Sequence, residues 1–290
     1  MTRAVCQETL DHGVVRCTLC PHHCVLKNRQ RGICGVRENI DGTLFALNDG
    51  LTIARAADPI EKKPLFHFMP GSSVYSFAAE GCNLDCPWCQ NHTIAHRVRQ
   101  DGKPRGVRVS PDEHVRQARL MGCKGIAYTY SEPTVFIEYA LETMKKAREV
   151  GLKNIWVSNG MTSDCAIDLL LPWIDAANID IKASDETSYK RSVNGSFEAV
   201  INTIGRFHEA CIHIEVTTLV VPGVNDTDDD FKTIAKAIFD ILGEKAIWHV
   251  TRFFPAYRMN DSDPTPHGRL KLAKEIGHAA GIPIIHLGNI

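Results

Sequence analysis

Glu80-Gly81-Cys82-Asn83-Leu84-Asp85-Cys86-Pro87-Trp88-Cys89-Gln90-Asn91 places three cysteines in a C-x3-C-x2-C run. The run begins within four residues of Val74–Ala78, an apolar stretch that reads as a strand. Gly81 permits a tight exit from that strand, and Pro87 stiffens the second gap. A cubane iron–sulfur cluster normally takes four cysteine ligands. Three leave one iron open, and an open position on a metal is where chemistry occurs. Taken alone, the same thiols also fit three of four zinc ligands with a distant fourth.

Outward from this loop, the chain alternates strand and helix signals. Strands are expected at Val74–Ala78, Gly125–Thr129, Asn154–Ser158, Ala177–Ile181, Ile212–Val220, Ile247–Arg252 and Pro283–Leu287. Amphipathic helices are expected between them, among others at Pro133–Val150, Phe197–Ala210, Asp228–Leu242 and His267–Ala280. Alternation of this kind implies parallel strands with right-handed crossovers. Six strand–helix units and a last strand fit an α/β fold, a partial (β/α)6 TIM-like barrel, with its chemistry at the strand C-terminal ends. Residues 1–70 differ: they carry five cysteines, turns and short strand-like pieces such as Thr43–Leu47. The expected division is a cysteine-rich, metal-binding N-terminal segment, 1–70, and a core barrel, 71–290.

Composition narrows the classes. The chain has 290 residues, 44% hydrophobic and 23% charged, with a formal net charge of −1. That balance is ordinary for a globular protein and gives no overall pull toward nucleic acid. The basic cluster Arg105–Arg108 reads as solvated surface. No apolar run reaches the length of a membrane span, and the first residues lack a signal-peptide core. Eleven cysteines is a high count, and seven fall in two tight groups. Without an export signal, clustered cysteines point to metal rather than disulfides, hence to a reducing cytoplasm and oxygen sensitivity.

Four further motifs close predicted strands: Tyr128-Thr129-Tyr130-Ser131-Glu132-Pro133, Val157-Ser158-Asn159-Gly160, Asp180-Ile181-Lys182 and Val220-Val221-Pro222-Gly223. With the cysteine loop, and in this order, they resemble the radical S-adenosylmethionine (radical SAM) superfamily, in particular the activating enzymes of glycyl radical enzymes such as the pyruvate formate-lyase activase. Cys17-Thr18-Leu19-Cys20-Pro21-His22-His23-Cys24 and Asp58–Phe68 are similar to the AmmeMemoRadiSam-system radical SAM enzymes. The resemblance implies that Cys82, Cys86 and Cys89 hold a 4Fe-4S cluster, and that Trp88 shields it or a bound adenine. It places Ser131 and Glu132 at the SAM amino group, and Ser158 and Asn159 near its carboxylate and ribose. Asp180, with the Ser158 position, would help hold a monovalent cation near that carboxylate, Lys182 would reach the carboxylate, and Val220 and Val221 would pack on adenine. What it implies chemically is reductive cleavage of SAM to a 5′-deoxyadenosyl radical that abstracts hydrogen from a substrate. Residue by residue the alternatives are plain: Asp180 as a helix cap, Glu132 as a helix start, Ser158-Asn159-Gly160 as a turn. The chain also departs from the activases. Tyr130-Ser131 stands where they carry Gly-Gly, Val157 replaces an Asp, and the extra cysteines precede the cluster loop.

Those extra cysteines, Cys17, Cys20, Cys24 and Cys34, read C-x2-C-x3-C-x9-C. Four thiolates could close a structural zinc site or bind an auxiliary iron–sulfur cluster, and a small segment with little core needs such a staple. Cys6, Cys123, Cys165 and Cys211 are scattered and read as buried inert thiols. Tyr128, Tyr130, Glu215, His249, Arg252, Tyr257 and His286 are substrate-facing candidates, with Arg252 suited to an anionic group. Lys62, Lys63 and His67 would close over the mouth or form a basic linker.

The expected partners are a low-potential electron donor of flavodoxin or ferredoxin type and a protein substrate. A small-molecule or nucleic-acid substrate is the second reading, and a non-catalytic metal-binding interaction protein the third. The third has no use for the Glu132, Asn159 and Asp180 series. Relatives of this type continue past a turn like Gly288-Asn289 into another C-x2-C segment, so the sequence reads as a shorter member or a truncated chain.

Overall fold

The computed structural model describes residues 1–290. Its centre is an eight-stranded sheet. Seven strands are parallel and in chain order: β1 (Ser73–Ala78), β2 (Gly125–Tyr128), β3 (Lys153–Ser158), β4 (Ala176–Asp180), β5 (His213–Val220), β6 (Ile247–Arg252) and β7 (Ile284–Gly288). The eighth, Ala54–Pro59, runs antiparallel along β1 and forms one edge of the sheet. It comes from within the cysteine-rich segment, so that segment and the sheet share a piece of chain. No pairing joins this edge to β7 at the other. The barrel is incomplete, as the sequence predicted.

Crossover helices cover the outer face. Those that start at Pro111, Asp164, Phe197 and Asp228 are capped by Ser110, Ser163, Ser196 and Thr227, whose side chains accept a backbone N–H in the first turn. Such caps contribute about 1 kcal/mol each. Pro111 at the first helical position has no N–H that needs a partner. Strand alternation then sorts the side chains. Phe77 turns outward and stacks on His114 of the helix Pro111–Leu120, ring centres 4.0 Å apart. Tyr128, paired in register with Phe77, faces outward too, donating to Asn154 at 3.0 Å. It is therefore removed from the substrate-facing candidates.

The floor of the barrel is filled by residues 60–72. The hairpin register, Pro59 opposite Ser73, carries this loop to the N-terminal ends of the strands. Ile60 and Leu65 are buried there against Val74, Ala127, Ile155 and Ala176. The expectation that Lys63 and His67 close the mouth is thus corrected. Lys63 is buried and donates to Asp58 at 2.8 Å, and His67 meets His286 of β7 at 2.8 Å, bridging the two open edges.

The N-terminal segment adds two small antiparallel sheets. One contains Gln7–Thr9, Val15–Cys17 and Val25–Leu26; the other contains Thr2–Arg3, Arg37–Ile40 and Thr43–Ala46. Cys6 and Cys165 form a disulfide that ties this segment to the helix Asp164–Leu170. Both were expected to be inert thiols, and Cys211, expected to be buried, is exposed. Pairing across 159 residues has no local signature. Disulfides are rare in a reducing cytosol, so the compartment argument rests on the clustered cysteines and not on this pair. No helix is long and apolar enough to cross a membrane.

Candidate active site

The mouth is assembled from the strand ends that carry the motifs. After β1 the chain turns at Gly81 with φ +117°, where a side-chain carbon would lie 3.0 Å from Val36. Only glycine lets the cysteine loop leave the strand in this direction. The Tyr130-Ser131-Glu132 loop then crosses the exit. Ser131 donates its hydroxyl to Ala79 O at 2.5 Å, and the Glu132 N–H reaches Gly81 O at 3.3 Å.

Glu132 is the hub. It is buried, and its carboxylate accepts from the Ser158 hydroxyl (2.8 Å), the Asn159 N–H (2.9 Å) and the Thr134 N–H (2.9 Å). Burial pushes its pKa up, against the pull of these donors. Asn159 reaches the cysteine loop, with its amide nitrogen 2.9 Å from Asn83 Oδ1 and 3.7 Å from Cys82 Sγ. Thus two of the four motifs and the cysteine loop share one hydrogen-bonded frame.

Asp180 and Lys182 sit beside it and pair with each other at 2.9 Å. Burial would pull Lys182 down, and Asp180 outweighs it and holds the ammonium above its usual range. Ser158 and Asp180, expected to share a monovalent cation, have different partners. The Ser158 hydroxyl is on Glu132, and the cation beside Asp180 is Lys182. Val220 and Val221 are buried where β5 ends, fixed by Asn225, which accepts from Val221 N at 2.7 Å and donates to Lys182 O at 3.0 Å. Trp88 is buried in the main core with Leu84 and Cys86.

Burial raises all three loop thiols, Cys86 to about 12, with Lys182 opposing it at Cys86 and Cys89. They are neutral until a metal displaces their protons. No three His, Cys, Asp or Glu side chains converge so as to hold a single metal ion. A cubane does not ask for that, because each thiolate binds a different iron. Lys182 beside Cys86 and Cys89, and the Leu84 N–H 3.4 Å from Cys82 Sγ, suit sulfur ligands of an anionic cluster. The donor set fits a 4Fe-4S cluster held by three cysteines.

Several residues here carry no signature in the sequence. Arg99 donates to Cys82 O (2.5 Å) and Leu84 O (2.6 Å), holding the cysteine loop from a neighbouring helix. Asn83 and Asn225 are internal struts, found only from the packing. His96 is buried, with neither ring nitrogen hydrogen-bonded, and stacks on Tyr257. Tyr257 also stacks on His92, so this substrate candidate instead covers the flank of the cysteine loop. Glu215, His249 and His286 lie low in the barrel against the floor loop, away from the mouth. Tyr130, with φ 66°, turns its ring down to Asp58 and Lys63. Arg252 remains at the rim.

The sequence model of the Radical SAM superfamily matches residues 77–238. The chain belongs to the radical SAM superfamily. It is 40% identical over 290 residues to an uncharacterized protein of Methanocaldococcus jannaschii, covering 100% of this chain and 86% of that one. It is 25% identical over 132 residues to the isethionate sulfite-lyase activating enzyme of Oleidesulfovibrio alaskensis, 45% of this chain and 42% of the relative. Among solved structures, a radical SAM methyltransferase from Sphaerobacter thermophilus superposes with a TM-score of 0.59 at 17% identity, over 77% of this chain and 68% of that chain. That last likeness concerns the fold. The superfamily uses a 4Fe-4S cluster and SAM, and this radical SAM protein is an enzyme.

Proposed function

We propose that this radical SAM enzyme abstracts a hydrogen atom from a protein substrate, in the manner of an activating enzyme. The observation that carries the reading is the rim of the mouth. Arg252, at the end of β6, lies over the ring of Phe254 at 5.0 Å, and Phe254 is 40% exposed. An arginine paired with an exposed aromatic is the kind of feature that anchors protein partners. The unclosed sheet supports the same reading, since a substrate too large to enter can lie across an open edge. A relative named as a lyase-activating enzyme adds weight.

In this reading Cys82, Cys86 and Cys89 hold the cluster. Bound there, a cluster would supply the one-electron reduction that opens the SAM sulfonium to a 5′-deoxyadenosyl radical and methionine. Glu132 keeps Ser158, Asn159 and Thr134 in place, and its carboxylate would accept from the SAM ammonium. Lys182, held by Asp180, would pair with the SAM carboxylate. Val220 and Val221 offer an apolar wall to adenine, and the buried Trp88 keeps water from beneath the loop. The reductant is a low-potential donor of flavodoxin or ferredoxin type.

The test is anaerobic. Reconstituted enzyme, SAM and reductant are mixed with size-separated cell extract, and 5′-deoxyadenosine is measured. Stimulation by the large fraction that protease treatment abolishes is the expected result. Stimulation confined to the small-molecule filtrate would replace the protein substrate with a metabolite.

A further inference from the structure

We propose that Cys17, Cys20, Cys24 and Cys34 hold a second iron–sulfur cluster that passes electrons to the catalytic one. The proposal builds on the radical SAM reading, but the ligand set stands on its own observations. The fold gathers these four thiols. Cys17 N–H donates to Cys24 O at 2.9 Å, joining two of the turns. Gly32 is packed so that a side-chain carbon there would lie 3.5 Å from Cys24 Sγ and 3.9 Å from Cys34 Sγ. Both sulfurs therefore flank the same backbone position. Three of the four are buried and Cys24 is partly exposed. None has a disulfide partner, although Cys6, one strand away, has one.

A buried cation points at the same place. Arg37 is 1% exposed, and one of its terminal nitrogens contacts both oxygens of Glu138 at 2.7 Å. Its Nε has no partner. Glu138 alone does not account for a buried donor left unpaired, because an orphan of this kind costs about 1–3 kcal/mol. Arg37 also lies close enough to Cys17 and Cys34 to interact with their charge. Four thiolates on a cluster carry net negative charge, and a guanidinium beside them, with a free N–H, is the matching counter-charge.

Position favours a cluster over zinc: zinc carries no electron, and this cysteine group packs against the loop of Cys82, Cys86 and Cys89.

Proximity gives the second cluster its role. His22, two residues from Cys20 and from Cys24, bonds through Nε2 to the carbonyl of Asn83 at 2.7 Å, and Asn83 adjoins Cys82. On the other side Gly35, next to Cys34, packs against the backbone of Arg99, whose guanidinium holds Cys82 O. One contact on each side separates the two sets. The electron balance is simple. An external low-potential donor of the flavodoxin or ferredoxin class loses one electron and the second cluster gains it. The second cluster is then reoxidised as the catalytic cluster is reduced.

The test uses the full chain purified without oxygen. Iron, sulfide and zinc are measured in the wild type, in a Cys82→Ala/Cys86→Ala/Cys89→Ala variant and in a Cys20→Ser/Cys24→Ser variant. Expected are about eight irons in the wild type and about four in each variant. The variant without Cys82, Cys86 and Cys89 should still show a reducible cluster by electron paramagnetic resonance. That readout is independent of SAM cleavage, so it separates this inference from the proposed function. About one zinc and no iron in that variant would overturn it, as would a Cys20→Ser/Cys24→Ser variant that keeps all its iron. Should that double variant misfold, a Cys34→Ser chain gives the same count. The relay has its own readout. Two reduced clusters in contact range broaden each other's resonance, so the wild-type spectrum should differ from the sum of the two single-cluster spectra. If the sum reproduces it, the relay is wrong.

Discussion

The mouth and the floor of this barrel are each organised around one buried glutamate, and they use it differently. At the mouth, Glu132 accepts three hydrogen bonds, which leaves part of its acceptor capacity unfilled. At the floor, Glu215 is fully engaged: His213 at 3.0 Å, His249 at 2.6 Å, and the backbone N–H groups of Phe66 and His67 at 3.0 and 2.8 Å. Burial would raise the Glu215 pKa, and these four donors outweigh it and hold the carboxyl well below its usual range. An unfilled acceptor is available to a ligand, whereas a saturated one is a structural joint. The C-terminal ends of the strands carry chemistry and the N-terminal ends carry stability.

This contrast can be broken from either side. Cys86→Ala should lower SAM cleavage by about a thousandfold or more, since the cofactor chemistry is lost with its ligand. The same variant should keep a secondary-structure spectrum like the wild type, and a collapsed spectrum would contradict the division. Glu215→Ala should do the reverse, destabilising the chain by about 3–5 kcal/mol because two histidines and two backbone donors lose a buried acceptor. Denaturant unfolding measures this, and a loss under about 1 kcal/mol would show the floor to be less important than argued. Glu132→Gln keeps the shape but replaces an acceptor with a donor facing N–H groups. It should weaken SAM binding about tenfold or more and cost about 1–3 kcal/mol, read by calorimetry and by melting.

The smallest effect sharpens the comparison through pH. Burial alone would raise Asp58, but hydrogen bonds from Lys63 and Tyr130 lower it to about 2. A carboxyl depressed on folding contributes stability that is full above its unfolded pKa and is lost as pH falls through the folded one. The stability gap between the wild type and Asp58→Asn should therefore be constant above pH about 4 and shrink toward pH about 2. A gap that instead widens in acid would reverse the sign argued here.

The seven barrel strands were legible because each is a short, mostly apolar run, five of them closed by a motif, and the alternation with helices leaves little choice of topology. Val74–Ala78, for example, falls inside the observed Ser73–Ala78. The motif residues were legible as an ordered series, and Glu132, Ser158, Asn159 and Cys82 do meet. Their bonding was not legible, since Ser158 and Asp180 were paired on paper and are bound to different partners in space. The side taken by Lys63 and His67 depended on the antiparallel register of Ala54–Pro59 against β1, which nothing in the local pattern specifies. Tyr128 was misplaced by one step of strand alternation. Arg99 and Arg37 were invisible, because a helix residue and a strand residue that reach across the fold to the cysteine loop and to Glu138 leave no spacing to read.

The Cys6–Cys165 bridge makes the first half of the molecule a covalent ring, with 159 residues of chain between its two ends. Both cysteine groups lie within that ring. A single peptide-bond cleavage inside it, for instance in the exposed Arg105–Val107 stretch, converts a loop into two arms without releasing either. The N-terminal arm with both cysteine groups and the C-terminal arm with β2 to β7 would migrate together until a reductant separates them.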